Sequence, residues 1–94
     1  MDSVEAKAVL GAELTKLRAL SYTDLVERLL DRHETFEVAG PSGVRYQIEL
    51  QAFWDDKPGR NLRVVAAIDD GGWRAFVPVT DDFILAPDGS FVGD

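Results

Sequence analysis

Three aspartate pairs, Asp55-Asp56, Asp69-Asp70 and Asp81-Asp82, and a single histidine, His33, are the residues of this 94-residue chain best suited to chemistry. Paired carboxylates supply the oxygen ligands that calcium and magnesium prefer. An imidazole titrates near neutral pH, as a general base should. Placed on an antiparallel meander, Asp55, Asp56, Asp81 and Asp82 fall on one rim of the sheet, with His33 near it. Two observations weaken that rim as a metal site. The second and fourth strands are separated by the third and so lie ~10 Å apart, at about 4.8 Å per strand. Aspartate is also a common turn former, because its carboxylate accepts hydrogen bonds from nearby backbone amides. The expectation is turn chemistry, with an acidic rim for a basic partner as an alternative. His33 is expected at the end of the second helix, where a positive charge is favourable.

Other catalytic constellations are weaker still. Glu34, Glu37 and Glu49 offer carboxylates for glycoside chemistry. As alternating strand residues they more simply face Arg45, Arg63 and Arg74 across the sheet. No serine or threonine stands in a nucleophile setting. The segments GPSG and DDGGW join strand to strand, whereas a phosphate loop or dinucleotide fingerprint joins a strand to a helix. No catalytic residue, cofactor or metal is expected, and the chain does not read as an enzyme.

The composition narrows the partners. Seventeen acidic residues against ten basic give a formal charge of −7. The bases are scattered, whereas nucleic acids and anionic membranes select clustered Lys and Arg. Neither is an expected partner. The chain has no cysteine, so thiolate zinc sites, disulfides and cysteine nucleophiles are excluded. The segment MDSVEAKAVLGAEL begins acidic and lacks a sustained apolar run, which reads as neither a secretory signal nor a membrane span. A cytoplasmic location is the expectation.

The elements that must position these residues are legible from hydrophobic period. One α+β domain over 1–94 is expected, with helices over about 3–20 and 22–33. Leu10, Leu14 and Leu17 recur at helical spacing, and Gly11 weakens the middle of that helix. Ser21 and Asp24 resemble a capping box ahead of Leu25, Val26, Leu29 and Leu30. Strands follow over about 35–39, 44–54, 61–69 and 73–80, each with period-two alternation. An Asp70-Gly71 turn sets Ile68 against Trp73, Ala66 against Ala75 and Val64 against Val77. Pro78 lacks a donor and belongs on an edge, which makes the fourth strand terminal. The sheet order is therefore 1-2-3-4, with both helices on one face. Phe83, Ile84 and Leu85 either extend the fourth strand past a bulge or pack over an edge. After the PDG turn at 87–89, Phe91 and Val92 are candidates for a short fifth strand. A helix followed by a four-stranded meander resembles cystatin-like folds in topology alone; the Q-x-V-x-G signature of cystatin inhibitors is missing.

Two surfaces follow from that register. On the outer sheet face Val65 is expected opposite Phe76, Ala67 opposite Arg74, and Phe53 near Arg63. The result is an apolar patch rimmed by Glu49, Gln51, Arg63 and Arg74, the anatomy of a modest protein interface. The competing arrangement has Phe83, Phe91 and Val92 fold back over it. On the inner face, Trp54 and Trp73 close the two ends of the core. Alternatively they line, with Leu17 and Tyr46, a cavity for a small apolar ligand. The leading expectation is a protein-interaction module that forms a homodimer through the outer face. The alternatives are binding of another protein, binding of a small apolar ligand, or an acidic inhibitor or immunity-type role in which the acidic rim binds a basic partner.

Overall fold

The computed structural model describes residues 2–72 and 78–93. Trp73, Arg74, Ala75, Phe76 and Val77, all expected in the fourth strand, lie outside the described residues.

Two helices open the chain, α1 (Ser3–Arg18) and α2 (Tyr22–Leu29). The Asp2 carboxylate accepts from the amides of Val4 and Glu5, satisfying two of the amides that a helix start leaves unpaired. Ser21 does the same for α2, its hydroxyl oxygen accepting from the Asp24 amide at 3.1 Å. The second helix stops at Leu29 rather than near Arg32 or His33. Leu30 is already extended, and Asp31 takes a left-handed φ of 57°. The Asp31 amide then donates to the Ala52 carbonyl at 3.3 Å. The chain thereby joins the sheet two residues sooner than the expected strand start, and His33 opens a strand instead of closing a helix.

Five strands follow: β1 (His33–Ala39), β2 (Arg45–Trp54), β3 (Leu62–Asp69), β4 (Val79–Leu85) and β5 (Phe91–Val92). They form one antiparallel sheet in chain order, and the helices pack on one face of it. The fold is thus α+β, a four-stranded meander with a short fifth strand. Alternation sorts each strand cleanly. Tyr46, Ile48, Leu50 and Ala52 of β2 and Leu62, Val64, Ala66 and Ile68 of β3 are buried. They meet Ala6, Val9, Leu10, Leu14 and Leu17 of α1 and Leu25 and Leu29 of α2 in one core. A Leu→Ala change at such a site typically costs about 2–5 kcal/mol.

The fourth strand is displaced along the chain from its expected place. Val64 pairs with Phe83, Ala66 with Asp81 and Ile68 with Val79, where Val77, Ala75 and Trp73 were expected. Pro78 immediately precedes β4, where its missing amide breaks no ladder bond. Phe83 and Leu85 are buried inner-face residues of β4, and the Ala86–Ser90 turn leads into β5, which pairs with Ile84 and Leu85. The tail extends the sheet; it does not fold over the outer face. Phe91 meets Phe83 edge-on at 5.7 Å between ring centroids, and the Arg18 guanidinium stands over both rings.

A polar lock ties the start of α1 to the β1–β2 hairpin. The Glu5 carboxylate accepts from the Ser42 amide (3.1 Å), the Ser42 hydroxyl (2.7 Å) and the Tyr46 hydroxyl (2.7 Å). These donors, Ser42 first, hold Glu5 below the usual carboxylate range. The same bond to Glu5, together with burial, pushes the Tyr46 phenol up to about 12. Tyr46 is wholly buried and its polar end is satisfied, so it anchors the hairpin without leaving an unpaired group. Among the described residues, no helix is long and apolar enough to cross a membrane.

Candidate functional site

Because β2 and β3 pair Phe53 with Arg63, Gln51 with Val65 and Glu49 with Ala67, those six side chains share the face away from the helices. Phe53 is 42% exposed, a large apolar group left in water. Arg63 sits beside it, its guanidinium bound to Asp55 at 2.7 Å and to Asp82. Both carboxylates hold its charge more firmly, Asp55 foremost. The arginine is consequently tied to a carboxylate just past β2 and to one on β4, with its side chain 33% exposed.

Displacement of β4 changes the membership of this face. Val65 stands opposite Asp82 and Ala67 opposite Thr80, not Phe76 and Arg74. Ile84 pairs with Arg63, and Val92 of β5 pairs in turn with Ile84. A cross-strand row therefore runs Phe53, Arg63, Ile84, Val92, with Val65 one step inward. Val92 is 40% exposed. The apolar surface is centred nearer the β5 end than the alternation of Val65, Ala67 and Phe76 suggests. Ile84 and Val92 are the residues missed from sequence. The signal was present, since Thr80, Asp82 and Ile84 alternate with Val79, Phe83 and Leu85, but Asp81 and Asp82 interrupt it in the style of a turn.

The acidic rim disperses. Asp55 and Asp82 meet only through Arg63. Asp56 accepts from the Lys57 amide at 2.7 Å, and Asp81 accepts from the Asp82 amide at 2.8 Å. Asp81 also borders a cleft of about 270 Å³ between α1 and β4, with Lys7, Leu10, Val79 and Thr80. The Asp69 and Asp70 carboxylates accept from the Gly71 and Gly72 amides, which is turn chemistry. The amide of Gly72 lowers the pKa of Asp70. Among the described residues, no three of His, Asp and Glu gather as metal ligands would.

His33 faces the outer side at the start of β1, its Nδ1 2.8 Å from a Glu49 carboxylate oxygen. Glu34 lies on the inner side, clasped by Arg28 of α2 through two bonds at 2.7 and 2.9 Å, and this pairing lowers the pKa of Glu34. Glu37 is engaged by Arg45 and Gln47. None of the three glutamates faces another across an open site.

The residues proposed for a cavity are distributed through the core. Leu17 and Tyr46 are buried. Trp54 is half-buried against Tyr22, at 6.4 Å between ring centroids, and the Tyr22 hydroxyl donates to the Arg60 carbonyl at 2.6 Å. Trp73 lies outside the described residues. A second shallow cleft, at the α2–β1 junction, is lined by Asp31, Arg32, His33, Gln51, Ala52 and Phe53.

No family model, curated protein or solved structure matches the chain.

Proposed function

We propose that this protein is a non-enzymatic interaction module whose outer sheet face binds a second copy of the chain. The observation that carries the reading is the row of exposed Phe53, half-buried Ile84 and exposed Val92 around Arg63, which Asp55 and Asp82 hold in place. Aromatic and arginine side chains at the centre of a patch dominate the energetics of many interfaces. An arginine already paired within its own chain loses little further side-chain freedom when a partner covers it. The sequestration of Asp55 and Asp82 by Arg63 also leaves less free negative charge for a basic partner, so the outer face is favoured over the acidic rim.

The test is solution mass by light scattering for the native chain and for Phe53→Asp. Phe53 is exposed, so the substitution leaves the core intact. The expected result is a folded variant whose mass falls by half at concentrations where the native chain is associated. An unchanged mass would remove this face from the interface.

A further inference from the structure

We infer that β1 is a second self-association element, adding edge to edge and antiparallel to β1 of another copy, in a register centred on Phe36. This goes beyond the outer-face reading and does not depend on it.

The backbone establishes which groups are on offer. The Gly40 amide donates to the Val44 carbonyl at 2.8 Å, and the Asp55 amide to the Asn61 carbonyl at 2.9 Å. With the observed registers, these bonds fix the phase of both ladders. Hydrogen-bonded pairs alternate with non-bonded ones along an antiparallel ladder. The even-numbered residues Glu34, Phe36 and Val38 therefore spend their backbone groups on β2. His33, Thr35, Glu37 and Ala39 direct theirs away from it, to an edge that no strand among the described residues occupies.

Sheets usually blunt such an edge with proline, a bulge or a very short strand. The opposite end of this sheet does so, with Pro78 before β4 and only two residues in β5. β1 has no proline, bulge or shortening, and its charged residues are already neutralised within the chain, Glu34 by Arg28 and Glu37 by Arg45 and Gln47. It runs seven residues without a break in register, from His33↔Gln51 to Ala39↔Arg45.

The occupant is argued from self-complementarity. Two antiparallel copies that overlap fully along β1 set His33 opposite the second copy's Ala39 and Thr35 opposite the second copy's Glu37. Every outward backbone group is then paired. On the inner side Phe36 meets its own symmetry mate at a non-bonded position, where side chains approach closest and aromatic pairs are favourable. Glu34 faces Val38, so no like charges stand directly opposite one another. His33 falls diagonal to the second copy's Glu37, and the two Glu37 side chains, each engaged by Arg45 and Gln47 of its own chain, are diagonal to one another. Phe36 and Val38 are only half-buried in the single chain, so each has apolar surface left to cover.

The absence of cysteine permits a direct test of register. Thr35→Cys and Glu37→Cys are prepared separately, then mixed under a mild oxidant. In the inferred register the two positions are directly opposite, about 5.5 Å between Cα atoms, within disulfide reach. Thr35 and its own symmetry mate are diagonal, about 7–8 Å apart, and so are the two Glu37 positions. The expected result is a covalent dimer in the mixture and little in either variant alone. Cross-linking of either variant alone to the extent of the mixture, or no cross-link in the mixture, overturns the proposal. Thr35→Pro supplies an independent reading, because it removes an outward amide without touching a bond to β2. It is expected to abolish the edge dimer at unchanged circular dichroism, and an undiminished mass with β1 folded would overturn the edge contact. The outer-face reading stands or falls separately with Phe53→Asp.

Discussion

Gly40 shows how closely single residues are constrained around the Glu5 lock. A Cβ built there would lie 2.6 Å from a Glu5 carboxylate oxygen and 2.9 Å from the Tyr46 ring. Neither neighbour can retreat easily, since one accepts three hydrogen bonds and the other is buried. Gly40→Ala is expected to destabilise the fold by about 1–3 kcal/mol, the range for overpacking. Gly11 gives the opposite sign: a Cβ there meets nothing within 4 Å, and alanine in mid-helix is worth about 0.5–1 kcal/mol over glycine. Paired denaturant titrations of G40A and G11A check both signs at once. The lock should also have a pH signature. Because the folded-state pKa of Glu5 is lowered, its contribution is present above the ordinary glutamate range. It is lost as pH falls through the lowered value. The melting temperature of the native chain should therefore fall more steeply between about pH 6 and pH 3 than that of Glu5→Gln. Parallel slopes would mean that the carboxylate's three bonds add nothing that depends on its charge. At the basic end the raised Tyr46 pKa of about 12 acts in the same sense. Stability is held below the ordinary tyrosine range and lost as pH rises towards that value.

Elements were legible from the sequence wherever a single period ran uninterrupted. Val44 to Trp54 and Leu62 to Asp69 alternate without a break, and β2 and β3 appear within a residue of expectation with the expected residues inward. That alternation put Phe53 near Arg63 on one face, where the two prove to be cross-strand partners. The fourth strand was not legible to the same degree. Trp73 to Val79 offers an alternating run and Val79 to Leu85 offers another, shifted along the chain, and local pattern cannot rank two runs of the same period. The observed strand takes the second run, with Phe83 and Leu85 buried in the core. A turn dipeptide such as Asp70-Gly71 is a local preference of small magnitude, and tertiary burial overrides it. The same competition moved the candidate site. Ile84 and Val92 entered the outer face because β4 slid, and Asp82 became a ligand of Arg63 instead of a rim carboxylate. The helix end was misplaced for a related reason. The apolar stripe of α2 ends at Leu30, and the bond from the Asp31 amide to Ala52 draws the chain into the sheet before another turn can form.

At the scale of the whole molecule, the two proposed contacts have mutually perpendicular axes. Edge pairing through β1 keeps both helical layers on one side, so its two-fold axis runs perpendicular to the sheet. Stacking of two outer faces uses an axis in the plane of the sheet. Where those two axes intersect, two such isologous contacts close as a tetramer of two-fold symmetry, and where they do not, they build an open chain of copies. Charge opposes this assembly, because every copy brings a formal −7. The Debye length is about 10 Å at 0.1 M salt and shrinks to about 3 Å at 1 M, so added salt screens repulsion between copies first. Both proposed contacts draw their affinity from apolar burial and backbone hydrogen bonds, which salt at these concentrations weakens little. Association should therefore tighten as sodium chloride rises from about 0.02 to 0.3 M, with the dissociation constant falling several-fold. Sedimentation equilibrium across that series checks it. A constant that rises with salt would mean that pairs such as His33 with the second copy's Glu37 carry the interface. The apolar row and the strand edge would then not be what holds the copies together.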